Sequence, residues 1–450
     1  MSRRRIPSHL ELTIEGLDAD GHGVATRGTR TVRVKGGLAG ETVTARVVGR
    51  RKGAILTVAE DIAAPSAERV PPPCNFYPRC GGCSAQHQDH ARQLEHKQAQ
   101  LLQALQLNEV VYGRLRAPVT GPKIGYRRKA RLGVRRLHEQ MLVGFRESFG
   151  GRIVKMDHCA ALAAPFAALI KPLADMLGSL SIPGAIPQLE TAVGDAGAAV
   201  VVRHLEPLTA QDARILGEFE RQYGIWVFTQ SGGYDTVQPL NVQRSSHYLH
   251  YTLIEHGVDF EFSVTDFVQV NAPINAALVR SVIAALDVQP GEAVADLFCG
   301  IGNFSLPLAR RGARVAGFEY AQESVLRAQH NAARNGLSAT TDFQVADLHS
   351  AGAAFEMPPV TAAVLDPPRS GAGPNLADWL VPSLRRIAYV SCNPATFATD
   401  AAVLAANGYE LREVGIYDMF PHTAHVETLG FFVHRDCPDS CPDNTGTLDG

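Results

Sequence analysis

Short runs in which apolar and polar residues alternate predict β-strands near the start of the chain. The runs LELTIEGL, GHGVATRGTRTVRV and ETVTARVVGRRKGAILTVAED, within residues 10–61, are broken by glycine-containing turns. About five such strands fit a small antiparallel, OB-like barrel over residues 1–65, an architecture that often binds nucleic acid. Basic residues on or near the turns favour that use: Arg27, Arg30, Lys35, Arg50, Arg51 and Lys52.

A mixed pattern of helices and strands follows over residues 66–262. The prolines of the linker 64–73 can extend neither a helix nor a strand ladder. Beyond the linker, the pattern predicts a helix over 86–107, strands within 124–155, a helix over 160–180 and further alternation to about residue 262. We expect this central segment to form an α+β domain.

From about Val264 the pattern becomes that of a doubly wound, Rossmann-like domain over residues 263–436. The apolar runs EAVADLF, GARVAGFEY, TAAVLDPP and RRIAYVSC suit buried parallel strands separated by helices. Two final strands, ELREVGIYDMF and HVETLGFFVHR, are expected to pair antiparallel at the edge of this sheet. The ligand of such a domain binds outside the carboxyl ends of its strands. The predicted fold class is therefore multidomain α/β, with an acidic tail at 437–450.

The net charge of −2 is an average over segments of different sign. Residues 1–60 hold eleven Lys and Arg against six Asp and Glu, and residues 123–155 hold ten against two. Two basic segments in a neutral total are expected when some faces contact phosphate, although a solvated surface gives the same pattern. Neither a signal peptide nor about 18 successive apolar residues can be found. We therefore expect a cytoplasmic protein without membrane contact.

Eight cysteines are too few for a disulfide scaffold, and their distribution is uneven. Cys74, Cys80 and Cys83 are close in sequence, and the isolated Cys159 offers a fourth thiolate. Three close cysteines and a distant one suit an iron–sulfur cluster better than zinc, whose sites usually hold two short-spaced pairs. Unligated core cysteines are the remaining alternative. Cys437 and Cys441 are expected to be exposed. We predict no ligand or catalytic role for these two cysteines or for Cys299.

A glycine-containing turn between a strand and a helix predicts a nucleoside site. The turn runs from Asp296 through Gly300 and Gly302 to Asn303, and Glu319 ends the next strand, where it can accept hydrogen bonds from ribose hydroxyls. The dinucleotide fingerprint lacks its third glycine, so a nucleoside without pyrophosphate fits better. S-adenosylmethionine is the obvious candidate, and a tight turn with no ligand is the alternative.

The segment Asp366-Pro-Pro-Arg369 ends the fourth strand of the predicted sheet. Its prolines make the backbone rigid and aim the side chains on either side. Methyltransferases that act on exocyclic amines typically have an aromatic residue after two prolines, whereas Arg369 stands here. The segment therefore indicates a reaction at an atom other than an amine nitrogen.

Cys392 follows the next strand, within a Ser-Cys-Asn-Pro segment, at the edge where the ligand is expected. A strand cysteine is more often inert packing, but a thiolate at this edge can act as a nucleophile. If it adds to carbon 6 of a uracil, carbon 5 gains enolate character and can accept a methyl group, after which a base must remove the carbon 5 proton. The segment 420–427 supplies two histidines and a glutamate, and its local sequence leaves Glu427 and His422 as alternatives.

Together these segments resemble the RNA uracil-5-methyltransferases, and more closely the bacterial 23S rRNA branch, which has an N-terminal TRAM domain and an iron–sulfur cluster. The match covers about residues 9–435. It rests on Cys74 with Cys80-Gly-Gly-Cys83, Phe267-x-Gln269-Val-Asn271, Asp296-x3-Gly300-x-Gly302-Asn303, Asp366-Pro-Pro-Arg369, Ser391-Cys392-Asn393-Pro394 and Phe420-Pro-His-Thr-x-His-x-Glu427.

The resemblance implies a role for each matched residue. Cys392 is implied as the nucleophile, and Glu427, in preference to His422, as the proton acceptor. The implied contacts to S-adenosylmethionine are Gln269, Phe298, Asn303, Glu319 and Asp366, with Asp347 at a position whose flanks match less clearly. The implied ligands of a structural 4Fe-4S cluster near the RNA are Cys74, Cys80, Cys83 and Cys159.

The implied substrate is a uridine of 23S rRNA, free or partly assembled, bound by a monomeric enzyme. The target base must leave its helix or loop to reach Cys392, which is easiest in single-stranded or bulged RNA. Phe267 is expected beside the flipped base, while Arg127 and Arg131 are expected to hold backbone phosphate.

Other activities remain as alternatives at this point. The same chemistry on tRNA is one, and the sequence does not name the nucleotide or say whether one uridine or two are modified. Radical methylthiotransferases also join a TRAM domain to a cluster, but they need a Cys-x3-Cys-x2-Cys triad, whereas the first spacer here has five residues. A non-catalytic RNA-binding protein is a third alternative, against which the presence of both Cys392 and Glu427 argues.

Overall fold

The computed structural model describes residues 7–244, 246–352 and 355–437. The first part of the chain forms one sheet of six strands, one more than the sequence predicted, because the two-residue strand β2 is added. Neighbouring strands are antiparallel except for one parallel pair, β4 with β6, and the strand order is β1-β5-β6-β4-β3-β2. The strands are β1 (His9–Thr13), β2 (Gly16–Leu17), β3 (Gly23–Arg27), β4 (Arg30–Lys35), β5 (Thr42–Arg51) and β6 (Ala54–Ala64).

A long helix and a short strand come next and pack against the C-terminal part of the protein. Helix α1 (His90–Leu107) begins at His90 because the side chain of Asp89 caps it, accepting from the backbone N–H of Ala91 at 2.9 Å. Its buried leucines share an apolar core with the C-terminal sheet. Strand β7 (Tyr112–Leu115) follows.

The central segment forms a second sheet of six strands in the order β13-β12-β11-β10-β8-β9, with its helices packed against it. Asp212 and Thr209 form a reciprocal capping box that starts the second of these helices, α3. The elements are β8 (Lys129–Leu137), β9 (Gln140–Gly144), α2 (Ile170–Gly178), β10 (Gln188–Val193), β11 (Ala198–Arg203), α3 (Ala210–Tyr223), β12 (Ile225–Gln230) and β13 (Val237–Pro239).

Two predictions for the central segment are wrong in detail. The run RIVKM at 152–156 is not a strand and makes only an isolated bridge, between Ile153 and Arg146. The helix predicted over 160–180 begins at Ile170. The residues before it bond to a neighbouring segment instead: Ala163 donates to the carbonyl of Arg127, and Arg127 donates to that of Ala161. These backbone groups are therefore not available to a helix.

The C-terminal part contains the predicted parallel sheet, with the strand order β18-β17-β16-β19-β20-β22-β21-β7. An α-helix follows each of the strands β16, β17 and β20, and the hairpin β14–β15 packs onto the apolar core of this part. The elements are β14 (Leu249–Leu253), β15 (Val258–Phe262), α4 (Ala272–Leu286), β16 (Ala293–Leu297), α5 (Ser305–Arg310), β17 (Arg314–Glu319), α6 (Gln322–Arg334), β18 (Thr341–Val345), β19 (Ala362–Leu365), β20 (Arg386–Ser391), α7 (Pro394–Ala406), β21 (Tyr409–Tyr417) and β22 (Glu427–His434).

The last two strands pair antiparallel as predicted, but they do not form the edge of the sheet. Strand β22 lies between β20 and β21, and β7 pairs parallel with β21, placing Tyr112 beside Leu411. Helix α1 covers this region by packing against α7. Strand β7 therefore belongs to the C-terminal sheet and α1 covers it, although both lie within the predicted domain 66–262. The domain limits themselves stay a prediction.

The end of the described chain differs from one expectation. Cys437 is half-buried against the C-terminal core rather than exposed. Cys441 and the rest of the acidic tail lie outside the described residues. Over the described ranges, no helix is both long and apolar enough to cross a membrane.

Candidate active site and cysteine cavity

A cavity of about 640 Å³ opens at the carboxyl ends of the parallel strands, where the doubly wound pattern places a ligand. It is bounded by the turns after β16, β17, β18, β19 and β20 and by the start of β22. Residues distant in sequence are thus brought to one edge of the sheet. The predicted catalytic, cofactor-binding and base-contacting residues that line it are Phe267, Gln269, Phe298, Asn303, Glu319, Asp347, Asp366, Cys392 and Glu427.

Glu319, at the end of β17, forms a hydrogen bond to the glycine turn that follows β16. One oxygen of Glu319 accepts from the backbone N–H of Gly300 at 3.2 Å, and the other accepts from Ala321 at 3.1 Å. Phe298 has a left-handed backbone with φ of 65°, a conformation that is uncommon for a non-glycine residue and concentrates at functional sites. Gly302 has a φ of 93°, which is strained for any residue with a side chain, and an added Cβ would also lie in tight contact with Leu306, at 3.2 Å.

Asn303 is oriented by two residues that the sequence did not single out. Its side-chain amide exchanges two hydrogen bonds of 2.9 Å with the amide of Asn275 in α4, and its oxygen also accepts from the hydroxyl of Tyr251 at 3.1 Å. Tyr251 lines the cavity and stacks on Phe260. Both contacts join residues that are distant in sequence, so the local sequence around Asn303 does not predict them.

Asp347, the least clearly matched of the predicted contacts, closes the turn after β18. One of its oxygens accepts from the backbone N–H groups of His349 and Ser350, each at 3.0 Å. These hydrogen bonds lower the pKa of the carboxyl, led by the interaction with Ser350. Asp347 is therefore held ionised at the rim of the cavity.

Three carboxyls at this edge have raised pKa values. Burial raises the pKa of Asp296 to about 7, against an opposing hydrogen bond from Ser305. Burial, followed by the charges of Asp296 and Glu319, raises the pKa of Asp366 to about 7. Burial and the charge of Asp366 raise the pKa of Glu427 well above its ordinary value. Acids crowded at one apolar edge favour a bound cation, which would offset their mutual repulsion.

Cys392 and Glu427 adjoin the same end of two paired antiparallel strands. The ladder between β20 and β22 ends at the pair Ser391 and Thr428, Cys392 directly follows Ser391, and Glu427 directly precedes Thr428. The thiol is half-buried. Burial, and then the charge of Glu427, raises the pKa of the Cys392 thiol to about 11, while the guanidinium of Arg369 acts in the opposite direction.

The two alternatives for a base are placed differently. Glu427 lines the cavity, whereas His422 is absent from the described residues around it. The ring of His422 lies 3.3 Å from the amide nitrogen of Gln93 in α1, and its carbonyl accepts from the backbone N–H groups of Ser84 and Ala85. His425 is exposed and lies 3.4 Å from a guanidinium nitrogen of Arg369.

The four cysteines named from the sequence line a second, smaller cavity together with aromatic side chains of Tyr77 and Phe145. Cys74, Cys80 and Cys159 are buried, and Cys83 is half-buried. The chain thus brings the distant fourth cysteine to the other three. A set of four thiol groups around one cavity is the donor set that iron–sulfur clusters and structural zinc both use.

Two of the basic residues named from the sequence are close to the cysteines of this second cavity. Lys35 is buried, and its amino group donates to the carbonyls of Cys80 at 2.9 Å and Cys83 at 2.6 Å, so the prediction of an RNA-facing turn residue is wrong. Arg127 is half-buried among the lining residues, and its Nε donates to the carbonyl of Lys129. A buried cation beside four thiolates would balance part of their charge.

Arg131 is exposed, but its side chain has partners within the protein. Its guanidinium contacts a carboxylate oxygen of Glu190 at 3.0 Å and donates to the hydroxyl of Tyr234 at 2.6 Å. The other basic residues named on or near the turns of the first sheet are exposed: Arg27, Arg30, Arg50, Arg51 and Lys52.

A model of one protein family matches the C-terminal part of the chain. Its description is tRNA (Uracil-5-)-methyltransferase, and it matches residues 238–354 and 353–436. These segments contain the turns that line the larger cavity, including Glu319, Asp366, Cys392 and Glu427.

Two curated relatives match over almost their whole length. A protein of Hahella chejuensis is 40% identical over 449 residues, covering 96% of this chain and 99% of that protein. A protein of Alkalilimnicola ehrlichii is 43% identical over 446 residues, covering 97% and 99%. Both are named 23S rRNA (uracil(1939)-C(5))-methyltransferase RlmD.

Among solved structures, the chain is similar to the tRNA (uracil-54, C5)-methyltransferase of Pyrococcus abyssi in complex with S-adenosyl-L-homocysteine. The TM-score is 0.72 at 25% identity, over 94% of this chain and 100% of that one. The similarity in fold therefore extends beyond the C-terminal sheet.

Proposed function

The chain belongs to the RNA uracil-5-methyltransferase family, and on that premise we propose that it transfers a methyl group from S-adenosylmethionine to carbon 5 of a uridine in 23S rRNA. The observation that carries the proposal is that Cys392 and Glu427 adjoin the last pair of one strand ladder, Ser391 with Thr428, and both line the same cavity. Full-length relatives named for that reaction support the choice of substrate.

The residues around the glycine turn fit S-adenosylmethionine. Gly300 and Gly302 let the backbone approach a nucleoside, and the carboxylate of Glu319 keeps lone pairs for ribose hydroxyls after accepting two backbone N–H groups. The crowded acids suit a sulfonium cation. When bound, S-adenosylmethionine supplies an electrophilic methyl group. The residues proposed to hold it are Gln269, Phe298, Asn303, Glu319, Asp347 and Asp366.

The proposed reaction uses Cys392 as nucleophile and Glu427 as base. The thiolate adds to carbon 6 of the uracil, and the electrons of the 5,6 double bond move to give an enolate. Carbon 5 then takes the methyl group, and the sulfonium sulfur keeps the electrons of the broken bond. Glu427 accepts the proton of carbon 5, the double bond re-forms and the bond between carbon 6 and sulfur breaks, which returns the thiolate. The addition, methyl transfer and elimination steps therefore need no oxidant or reductant.

RNA is proposed to cross the mouth of this cavity. The exposed basic residues of the first sheet, which we assign as a TRAM domain, would contact phosphate. Phe267 is 72% exposed at the cavity rim, where its ring can stack on a flipped uracil or its neighbour. We further propose that the enzyme acts as a monomer on rRNA in the cytoplasm.

We also propose that Cys74, Cys80, Cys83 and Cys159 hold a 4Fe-4S cluster. Four thiols around one cavity fit its ligand set, and Lys35 and Arg127 supply nearby positive charge. When bound, the cluster would cross-link the segment around residue 80 to that around residue 159 and take no part in methyl transfer. Anaerobically purified protein should contain four iron and four sulfide per chain. Cys83→Ser should lose most of both, whereas Cys299→Ala should keep them; zinc in their place would refute the assignment.

The experiment that tests the proposed reaction uses RNA containing 5-fluorouracil. Fluorine replaces the proton that Glu427 must remove, so the enzyme should become trapped in a covalent complex with the RNA. Cys392→Ala should give no complex and no methylation of unmodified RNA. A variant that still methylates uracil would contradict the addition mechanism. Fragments of 23S rRNA and tRNA should be offered side by side, because the structural relative from Pyrococcus abyssi is named for tRNA.

A further inference from the structure

We propose that Lys97, acting through Asp418, is a positioning residue that sets the place of Glu427 for removal of the carbon 5 proton. The inference deepens the proposed function and rests on it. Lys97 belongs to α1, far from Glu427 in sequence, and does not belong to the described lining of the catalytic cavity. Any effect on the reaction must therefore pass through the loop that precedes β22.

Lys97 is among the largest fully buried side chains of the described residues, with 2% exposure. Its amino group donates to one carboxylate oxygen of Asp418 at 2.6 Å and to the carbonyl of Phe420 at 3.0 Å. The other oxygen of Asp418 lies 2.8 Å from Nε2 of His90. Burial opposes ionisation of Asp418, but the hydrogen bond from His90 and the charge of Lys97 hold its pKa below the ordinary value.

These contacts lie at the start of the loop that ends in Glu427. Asp418 directly follows β21, and the loop returns to the sheet at Glu427, which pairs with Tyr417. The carbonyl of Phe420 also accepts from the backbone N–H and the hydroxyl of Thr423. Lys97 therefore holds the point at which the loop turns.

A second side chain of the same helix holds the middle of the loop. The amide oxygen of Gln93 accepts from the backbone N–H of His422 at 3.1 Å. His422 has a left-handed backbone, with φ of 64°, which is unfavourable for a residue with a large side chain and persists when surrounding contacts define it. Helix α1 thus maintains a loop conformation that the loop sequence alone does not favour.

The charged character of the contact indicates a role in geometry. A buried ion pair is seldom a better source of stability than apolar packing of the same size. Its hydrogen bonds are directional, however, so it fixes the position of one charged group relative to the other. Glu427 must remove a proton from a carbon atom, and a C–H group forms no strong hydrogen bond that would orient the carboxylate. Contacts within the protein must therefore position the Glu427 side chain. A displacement of about 1 Å can lower the rate of such a step on the order of 100-fold.

The test follows radiolabelled methyl groups from S-adenosylmethionine into unmodified RNA and into protein-bound RNA. If Glu427 is displaced, the thiol can still add and carbon 5 can still be methylated, but proton removal slows. Lys97→Met should therefore lower turnover at saturating substrates roughly 10- to 100-fold. It should also accumulate a methyl-labelled covalent complex on ordinary uridine, as Glu427→Gln should. A loss of folding alone would lower every step and would not accumulate this complex.

Three further variants complete the design. Lys97→Arg keeps the charge and should restore most of the turnover. Asp418→Asn removes the partner charge with little change of shape, so it tests the same contact if Lys97→Met does not fold. Lys171→Met is the control, because Lys171 pairs with Asp175 at 2.6 Å on α2, with both side chains about two-thirds exposed. It should leave turnover and adduct level unchanged.

Two results would overturn the inference while leaving the proposed function intact. The first is normal turnover in folded Lys97→Met and Asp418→Asn. The second is reduced turnover without the methyl-labelled complex, together with a lower melting temperature, which would make the contact purely structural. By contrast, failure of the wild-type enzyme to trap 5-fluorouracil RNA would count against the proposed function itself.

Discussion

The side-chain amide of Asn393 donates to the backbone carbonyl of Arg369 at 2.9 Å. This hydrogen bond joins the segment that follows β20 to the segment that follows β19. The oxygen of the same amide caps α7 by accepting from the backbone N–H of Ala395 at 3.2 Å. One side chain therefore fixes the loop of Cys392 relative to the loop of Arg369.

Replacing Asn393 should separate these two roles. Asn393→Ala removes the cap and should lower the free energy of unfolding by about 1 kcal/mol. Asn393→Asp keeps a good cap but has no N–H to donate to Arg369, so it should recover most of the stability and little of the methylation rate. Urea unfolding and single-turnover methylation measure the two quantities. Equal recovery of both by Asn393→Asp would show that the contact with Arg369 does not matter for the reaction.

The pH dependence of covalent trapping should depend on Arg369. Below a thiol pKa of about 11, the thiolate fraction and the rate of adduct formation rise about tenfold when the pH rises by one. Arg369 lowers this pKa, so Arg369→Met should raise it and slow trapping at neutral pH, about tenfold if the pKa rises by one. The loss should shrink as the pH rises toward and beyond the pKa. Arg369→Lys is the control, and a rate deficit that is the same at every pH would contradict the electrostatic explanation.

Glu319 should determine the affinity for the nucleoside. Glu319→Gln keeps the size of the side chain but removes the charge that we propose binds the ribose hydroxyls and that accepts from the backbone N–H of Gly300. Affinity for S-adenosyl-L-homocysteine, measured by calorimetry, should fall roughly 10- to 100-fold. Glu323→Gln, on the exposed first turn of α6, is the matched control and should bind normally. Unchanged affinity in Glu319→Gln would place the ribose elsewhere.

The buried carboxyl of Asp296 should make stability decrease as the pH rises. Its pKa is about 7 in the folded protein, whereas in the unfolded chain it returns to its ordinary lower value. Between these values the folded state binds the proton more tightly, so its contribution to stability is complete at acid pH and is lost as the pH rises to about 7. Asp296→Asn should flatten the curve of unfolding free energy from about pH 4 to 7, measured without nucleoside. A slope equal to that of the wild type would mean that Asp296 is ionised throughout.

Much of the catalytic site could be predicted because of one topological rule. In a doubly wound sheet the carboxyl ends of parallel strands meet at one edge, so segments that follow β16, β17, β19 and β20 must converge there. Apolar runs were sufficient to locate these strands. The resemblance to a family then identified which side chains at their ends to consider, including the choice of Glu427, which local sequence had left open.

Contacts between distant elements could not be predicted in the same way. Nothing near Lys97 or Asp418 indicates that a helix of the central segment holds the loop before β22, because the pairing depends on the packing of α1 against the sheet. The prediction that Lys35 faces RNA is wrong for the same reason. It ends an exposed-looking strand, but its amino group reaches the carbonyls of Cys80 and Cys83 once the second cavity is formed.

The pairing of β7 with β21 affects which fragments of the chain can fold and how the protein folds during synthesis. A fragment cut near residue 263 would contain Cys392 and Glu427, but the edge of β21 would lack its partner and the apolar surface beneath α1 would be open to water. Such a fragment should aggregate, whereas one that starts before α1 retains both covers. During synthesis, β7 leaves the ribosome long before β21 exists. The nascent chain must therefore keep this strand unpaired until almost the whole protein has been translated.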